Sequence, residues 1–145
     1  MEAKDLMIGD WFNFLIDIEG GDTEYDPKNE IYQPMQVDNI EFGDATSEEG
    51  VPNDPRQLKP IPLTAEILGK NFKSTEFPDN LYGDDFFDGD DKIKIYINAY
   101  KDGLWKVDVD EIKMDGVCFW SMYVRNVHEL QHALKLCKID KEIKL

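Results

Sequence analysis

Apolar and polar residues alternate over residues 92–110, which is the period of a strand with one buried face. Lys101-Asp102-Gly103 interrupts the alternation as a turn, because glycine adopts a positive φ at little cost. A second turn at Asp115-Gly116 leads into a further strand over 117–124. Strands joined by such short turns form an antiparallel meander. The alternating apolar members are Ile93, Ile95, Ile97, Ala99, Trp105, Val107 and Val109.

A short central helix is predicted just after the middle of the chain. Thr64 suits its N-cap, because a threonine hydroxyl accepts a hydrogen bond from a first-turn backbone N–H. Leu63 and Leu68 flank this cap at the spacing of a hydrophobic staple. Asn71 is expected to end the helix in a left-handed conformation, after about two turns.

The first half of the chain alternates between strand-like and loop-like segments. Residues 5–18 predict two strand pieces around Gly9-Asp10, and residues 31–42 predict one or two more strands. Between and after them lie acidic segments with glycine and proline, which indicate long exposed loops. These predicted loops are residues 19–30, 43–60 and 74–91.

Charge is unevenly distributed. The 145 residues contain 16 Lys and Arg against 31 Asp and Glu, for a net charge of −15. Residues 1–91 have a net charge of −17, and residues 92–145 have a net charge of +2. Direct binding to a nucleic-acid backbone is not expected, because that requires clustered Lys and Arg. Such a charge leaves a basic protein partner, a cation or solubility alone as its role.

Cysteine usage and hydropathy predict a cytoplasmic protein. Cys118 and Cys137 are too few for the disulfide framework of a small secreted domain. The first five residues lack the basic and apolar regions of a signal peptide. No run approaches 18 apolar residues, so no membrane association is expected.

Both histidines lie in one short motif near the C-terminus. His128-Glu129-x-x-His132 has the spacing by which two histidines on one helix face can bind zinc. Glu129 would then be the catalytic general base of a metallohydrolase. A catalytic zinc needs a third protein ligand, and Asp140 and Glu142, the downstream candidates, are badly placed to turn back.

A structural interpretation of the same motif is favoured. Asn126 to Glu129 fits a capping box, in which Glu129 accepts a hydrogen bond from the N-cap backbone. The helix from residue 126 to about residue 138 has one apolar side, and the histidines lie opposite it among polar residues. We therefore assign no catalytic, cofactor or metal residue, and keep zinc on His128 and His132 as the alternative. The apolar side comprises Val127, Leu130, Ala133, Leu134 and Cys137.

Three segments occur in an order that resembles a known group. They are Leu6 to Phe12 (Leu-x-Ile-Gly-Asp-Trp), Lys59 to Leu68 (Lys-Pro-Ile-Pro-Leu-Thr) and Val127 to Leu134 (Val-His-Glu-Leu-Gln). The group consists of small uncharacterised proteins from phages and mobile elements of gut anaerobes. This resemblance implies an origin and transfers no functional residue. The first segment also looks like the opening strand of an SH3-like small β-barrel.

The predicted fold class is α+β. An antiparallel β-meander carries the C-terminal helix, with the short central helix before it and the SH3-like barrel as the N-terminal option. Residues 1–145 are expected to form a single domain, in which 1–58 could be a β lobe and 59–145 an α+β part. The function we favour is a non-catalytic binding or accessory protein with an unidentified protein partner, for which a basic protein is one option. The alternatives are an acidic decoy that mimics a nucleic acid, and the zinc hydrolase.

Overall fold

Two five-stranded antiparallel sheets make up most of the protein in the computed structural model. The structure describes residues 6–18, 30–41, 43–75 and 82–145. The chain divides into two compact units, Met1–Ile61 and Pro62–Leu145. Residues 19–29 of the predicted loop at 19–30 and residues 76–81 of the predicted loop at 74–91 lie outside the described residues, and Glu30 already belongs to a strand.

The first unit contains one sheet with the strand order β4-β3-β2-β1-β5. Its two long strands, β1 (Trp11–Ile18) and β2 (Glu30–Glu41), pair in a register that places Phe12 opposite Met35. The other strands are β3 (Asp44–Ser47), β4 (Pro52–Asn53) and β5 (Lys59–Pro60). Alternation along the long strands directs Phe12 and Phe14 of β1, and Met35 and Val37 of β2, to one buried face. The resulting core comprises Leu6, Phe12, Phe14, Met35, Val37, Ala45 and Leu58.

The prediction of an SH3-like small β-barrel in the N-terminal part was wrong, because this sheet remains open. Closure would require its two end strands, β4 and β5, to pair with each other. Each has only two residues, too few to supply a ladder of hydrogen bonds. The Gly9-Asp10 step is a turn that precedes one continuous strand, with the Asp10 carboxylate accepting a 2.7 Å hydrogen bond from the Met7 N–H.

The predicted loop at 43–60 was also wrong, since it contains β3, β4 and β5. Sequence pattern did not reveal β3, because Asp44-Ala45-Thr46-Ser47 has a single apolar residue. Pairing with β2 decides its conformation. A short 3-10 turn, Pro55–Gln57, then connects β4 to β5 and is capped by Asp54, whose carboxylate accepts a hydrogen bond from the Arg56 N–H.

The second unit begins with α1 (Ala65–Asn71), which Thr64 caps as expected by accepting a 3.2 Å hydrogen bond from the Ile67 N–H. The left-handed ending predicted at Asn71 is not observed. Its side chain instead donates to the Ile67 carbonyl at 2.7 Å and accepts from the Lys144 N–H at 2.8 Å. Asn71 thereby holds the C-terminal residues against this helix.

The predicted meander is confirmed. Its strands occur in the spatial order β10-β9-β8-β7-β6, so that each pairs with its neighbour in sequence. Part of the predicted loop at 74–91 is β7, in which Phe86 pairs with Ile97. The Lys101-Asp102-Gly103 turn joins β8 to β9, with positive φ at Asp102 and Gly103. The strands are β6 (Lys73–Thr75), β7 (Asp85–Gly89), β8 (Ile93–Ala99), β9 (Trp105–Lys113) and β10 (Gly116–Val124).

The closing helix, α2 (Val127–Leu136), packs its apolar side on one face of this sheet, which we term the core face. The five residues predicted for that side are all buried. In the segment that precedes α1, the Leu63 carbonyl accepts a buried 3.0 Å hydrogen bond from the indole N–H of Trp105 in β9. Helix α2 ends at Leu136, and Lys138, two residues further on, has a left-handed φ of 58°. No helix in the described part of the chain has both the length and the apolar character needed to cross a membrane.

Candidate protein-binding surface

The motif with both histidines forms the first turns of α2, and its acidic residue caps that helix. One Glu129 carboxylate oxygen accepts hydrogen bonds from the Arg125 N–H at 2.6 Å and the Asn126 N–H at 3.2 Å. The predicted capping box is therefore present. Negative charge at a helix N-terminus is favourable, since the first backbone N–H groups have no partner within the helix. The Glu129 carboxylate is therefore occupied by hydrogen bonds to the backbone at the start of the helix.

The two imidazoles lie side by side on α2, with ring centroids 5.8 Å apart and nearly perpendicular planes. Both side chains are half-buried rather than fully solvated as predicted. Gln131, expected on the same polar side, is buried, because it lies one turn from Val127 and from Leu134 and so borders the apolar side. Within the described residues, no group of three or more His, Cys, Asp or Glu side chains is arranged to hold a metal ion.

Two concave sites open near the end of α2 in the second unit. The larger, of about 420 Å³, is lined by Asp88, Asp90 and Lys141 among others. The Lys141 ammonium lies 2.7 Å from an Asp88 carboxylate oxygen, and this hydrogen bond lowers the pKa of Asp88. The ion pair neutralises Asp88 and Lys141, and the other two lining carboxylates, Asp90 and Asp140, leave the site acidic.

The smaller site, of about 210 Å³, lies between the core face and the end of the helix. Trp120, Glu111 and Cys137 contribute to its lining. Burial, and then the charge of Glu111, raise the pKa of the Cys137 thiol above its ordinary value. A thiol with a raised pKa is a poor nucleophile at neutral pH, since the thiolate is the reactive form. Neither concave site therefore combines a nucleophile with a base.

Strand β10 differs from every other terminal strand of the two sheets. It forms one end of the second sheet, so one of its long sides pairs with β9 and no described strand pairs with the other. The remaining end strands, β4, β5 and β6, have two, two and three residues, whereas β10 has nine. Very short end strands are one way in which proteins avoid edge-to-edge association. Strand β10 lacks that protection.

Strand β10 also lacks the charged residues that commonly protect a sheet edge. Its sequence, Gly-Val-Cys-Phe-Trp-Ser-Met-Tyr-Val, contains none, although 32% of the whole chain is charged. Val117 and Phe119 are 64% and 61% exposed. Half of the ten exposed large apolar side chains in the described structure lie between residues 112 and 123. We call these five the β10 patch: Ile112, Met114, Val117, Phe119 and Tyr123.

Strand geometry explains why the β10 patch is continuous. Alternate residues of a strand lie on one face, so Val117, Phe119 and Tyr123 all lie opposite to the core face. The register pairs Val117 with Ile112 of β9, which places Ile112 beside them. On the core face, Trp120 and Met122 are half-buried and Val124 is buried. The strand is thus anchored by one face and presents the other.

Aromatic rings border this patch on the face of the second sheet opposite to the core face, which we term the outer face. Tyr123 contacts Tyr100 at a centroid distance of 5.2 Å, and Tyr100 contacts Tyr82 at 5.3 Å. Next to them, Lys106 and Asp108 form an ion pair at 3.4 Å. Aromatic side chains offer large contact areas and lose little conformational entropy on binding. This composition suits a protein interface better than a small-molecule pocket.

Sequence reasoning identified β10 as a strand but not as a binding surface. One signal was present, namely nine consecutive uncharged residues in a strongly charged chain. The alternation in β10 is also weaker than in β8 and β9, because both of its faces are apolar. A strand that is apolar on both faces either packs against an apolar neighbour on each face or has one face available to bind a partner.

Comparisons with known proteins found no matching family model, no matching curated protein and no matching solved structure.

Proposed function

We propose that this protein is a non-catalytic binding module that captures an extended protein segment along β10. The observation that carries the proposal is a nine-residue end strand without charged residues or a described partner, bordered by the β10 patch. Adding a strand to a sheet edge is a recurrent mode of peptide recognition. The partner class is therefore protein, bound through its backbone.

Backbone hydrogen bonds would supply much of the binding energy. In an antiparallel sheet about half of the N–H and C=O groups of an end strand point away from its neighbour. Each new hydrogen bond contributes about 1 kcal/mol net. Burial of Val117 and Phe119 adds apolar stabilisation, since both are more than half exposed. Specificity would come from the side chains that alternate along the bound segment.

A peptide selection tests the proposal without knowledge of the natural partner. Random nine-residue peptides, the length of β10, are selected against protein immobilised at low density. Enriched peptides are expected to be apolar at alternate positions and to protect the 116–124 amides from hydrogen exchange. Phe119→Lys should weaken them at least about tenfold.

The matched control is Ile8→Lys, because Ile8 is 63% exposed and lies in the first unit. It makes the same change of apolar to charged side chain away from β10 and should leave binding unchanged. No enrichment over an empty surface would reject the proposal. Equal binding to Phe119→Lys, or protection elsewhere than 116–124, would reject the assigned surface.

The acidic decoy is the second candidate, and the first unit is the observation that favours it. Residues 1–61 contain 15 Asp and Glu against 4 Lys and Arg. Both bases in the described part of this unit are paired, Arg56 with Asp54 at 2.7 Å and Lys59 with Glu30 at 3.7 Å. The acids in the same part therefore dominate its surface potential. Its exposed acids are Asp17, Asp38, Glu41, Asp44, Glu48 and Glu49.

Displacement of nucleic acid tests the decoy. At low salt, the protein is titrated into DNA complexes of several basic nucleic-acid-binding proteins, and DNA release is followed by fluorescence anisotropy. Wild-type protein should release DNA, and a Glu48→Lys/Glu49→Lys variant should do so less, because charge complementarity drives this kind of association. Absence of release for every complex would reject the decoy.

We also propose a cytoplasmic location and an origin in a mobile element. The two cysteines of the chain are both unpaired thiols, which supports a reducing compartment. The origin rests on the sequence resemblance alone. Measurement of thiol content in protein isolated from its natural host, with alkylation at lysis, tests the first point, and a disulfide between Cys118 and Cys137 would contradict it.

A further inference from the structure

We infer that the segment which pairs with β10 is β10 of a second copy of this chain, so that two sheets join into one antiparallel sheet of ten strands. This inference rests on the proposed function, since it uses the same strand edge. A two-fold axis would pass through the midpoint of the strand pair. The dimer would be isologous, which is the commonest symmetry of soluble oligomers.

The length of β10 defines one register for this pairing. Trp120 is the fifth of its nine residues. An antiparallel pair centred on Trp120 therefore aligns all nine residues of each copy, with Val117 opposite the partner's Tyr123. Every other register leaves unpaired backbone groups at both ends. Directly opposed residues lie on the same face of a sheet, so the β10 patches of the two copies would become continuous.

Charge favours a second copy at this edge. Like charges repel between two chains of net charge −15, so an uncharged edge in the near-neutral part of the chain, residues 92–145, is where two copies meet with little repulsion. The carboxylates nearest the edge on the outer face are Asp108 and Asp110, which pair with Ser121 and Phe119. In the joined sheet Asp110 and the partner's Asp108 lie in line across the two β10 strands. Three strand spacings, about 14 Å, separate their backbones. This exceeds the Debye length of about 8 Å at physiological salt.

Charge also argues against a basic peptide on β10. Such a peptide needs carboxylates along the strand it joins, and β10 has none between Gly116 and Val124. The outer positions of the neighbouring strand β9 are Lys106, Asp108 and Asp110, and the Asp108 carboxylate is paired with Lys106 at 3.4 Å. A neutral, apolar strand fits better, and β10 itself has that chemistry.

The area of the β10 patch suits a dimer of moderate affinity. Its five side chains range from 44% exposed at Ile112 to fully exposed at Met114. At about 200 Å² for each large side chain, the patch exposes on the order of 600 Å². A stable interface buries about 800 Å² on each partner, and the backbone of the edge supplies part of the difference.

Analytical ultracentrifugation of the full chain tests the state of association. Wild-type protein is expected to sediment as a concentration-dependent dimer. Phe119→Lys should raise the dimer dissociation constant about 100-fold, because the symmetric interface carries the change twice and each copy removes about a factor of ten. Ile8→Lys, at an equally exposed site, should behave as wild type. Circular dichroism confirms that each variant is folded.

Disulfide trapping tests the register. In a Val117→Cys/Tyr123→Cys variant the new thiols are about 20 Å apart within one strand, too far to bond to each other. Two copies paired about Trp120 would bring them together, and mild oxidation should give a covalent dimer on a non-reducing gel. Val117→Cys/Ser121→Cys matches only a register shifted by one residue at the axis and should give far less. Wild-type protein, with Cys118 and Cys137, sets the background.

Each outcome decides between this inference and the proposed function. A monomer that still selects peptides along 116–124 overturns the inference and leaves the binding module intact. A dimer unaffected by Phe119→Lys, or trapped equally by both cysteine pairs, overturns the inference because the interface lies elsewhere. A monomer that selects no peptide overturns both. A dimer lost in Phe119→Lys and trapped only by the first pair supports the inference.

Discussion

Substitution of Glu129 separates a helix cap from a catalytic base. If the carboxylate acts as the structure indicates, Glu129→Ala removes two hydrogen bonds to backbone N–H groups, those of Arg125 and Asn126. It also removes a negative charge from the N-terminus of α2. A catalytic base, in contrast, can be replaced with little effect on stability. The measured quantity is the free energy of unfolding.

The magnitude follows from the environment of the cap. The hydrogen bond to Arg125 is exposed and that to Asn126 is partly buried, so the upper values for buried charged groups do not apply. Loss of a helix cap costs about 0.5–2 kcal/mol, and the helix dipole adds about 0.3–1 kcal/mol. We expect Glu129→Ala to destabilise the protein by about 1–2 kcal/mol. Glu129→Gln keeps an accepting oxygen and should cost about 0.5 kcal/mol.

Urea unfolding followed by far-ultraviolet circular dichroism measures both variants. The matched control is Glu66→Ala, in the first turn of α1, where Thr64 provides the cap and Glu66 only approaches Lys70, at 3.6 Å. That change removes the same kind of helix-dipole interaction but no hydrogen bond to the backbone, and should cost less than about 1 kcal/mol. A Glu129→Ala value no larger than the Glu66→Ala value would refute the capping assignment. Identical losses for Ala and Gln would show that the charge alone matters.

Three further predictions concern the C-terminal part of the second unit. Lys138→Gly should stabilise the protein by about 0.5–1 kcal/mol in urea unfolding. A non-glycine residue in the left-handed region costs about 1–2 kcal/mol, and the greater chain entropy of glycine in the unfolded state cancels part of the gain. Destabilisation beyond that of Lys138→Ala would contradict this prediction. The lowered pKa of Asp88 stabilises the fold above its unfolded pKa of about 4, and this contribution is lost as pH falls through the lower folded value. Lys141→Met should therefore reduce the free energy of unfolding that is lost between neutral and acid pH, by less than about 1 kcal/mol for this partly exposed pair. An unchanged loss between those pH values would disprove the linkage. Protein purified without chelator is expected to contain no stoichiometric zinc, since the described residues offer no third ligand; zinc that is lost in His128→Ala would support the hydrolase instead.

Strand β10 gives the fold an asymmetry that bears on function. The first unit ends its sheet in two-residue strands on both sides, and the second unit ends in a three-residue strand on one side. Only the remaining end, in the described structure, presents a long regular backbone edge. A chain that protects three sheet ends and leaves the fourth uncharged and apolar has one surface suited to strand addition.

Local sequence was sufficient where side-chain periodicity and turn chemistry act over a few residues. The alternation of Ile95 and Ile97 with polar residues predicted a half-buried strand, and short turns predicted antiparallel neighbours. The caps at Thr64 and Glu129 were also predictable, because the residues involved lie within three positions of each other. These features explain why the α+β meander with its closing helix was predicted correctly.

Tertiary structure alone decided which strands close or end a sheet. Ala45 is the sole apolar residue of β3, so pairing with β2, and not its own pattern, makes that segment a strand. The open sheet of the first unit likewise depends on how few residues β4 and β5 contribute to it. Half-burial of His128 and His132 depends on what packs around α2.

The sequence by itself determined that residues 117–124 form an apolar strand after a tight turn. It did not determine that this strand ends its sheet, because periodicity specifies which face of a strand is buried and contains no information about its lateral neighbours. The tight turn predicts β9 as one neighbour, whereas a neighbour on the other side would have to come from a segment elsewhere in the chain. In β10 backbone hydrogen bonds pair one side with β9, and the other side is the surface from which we infer the function.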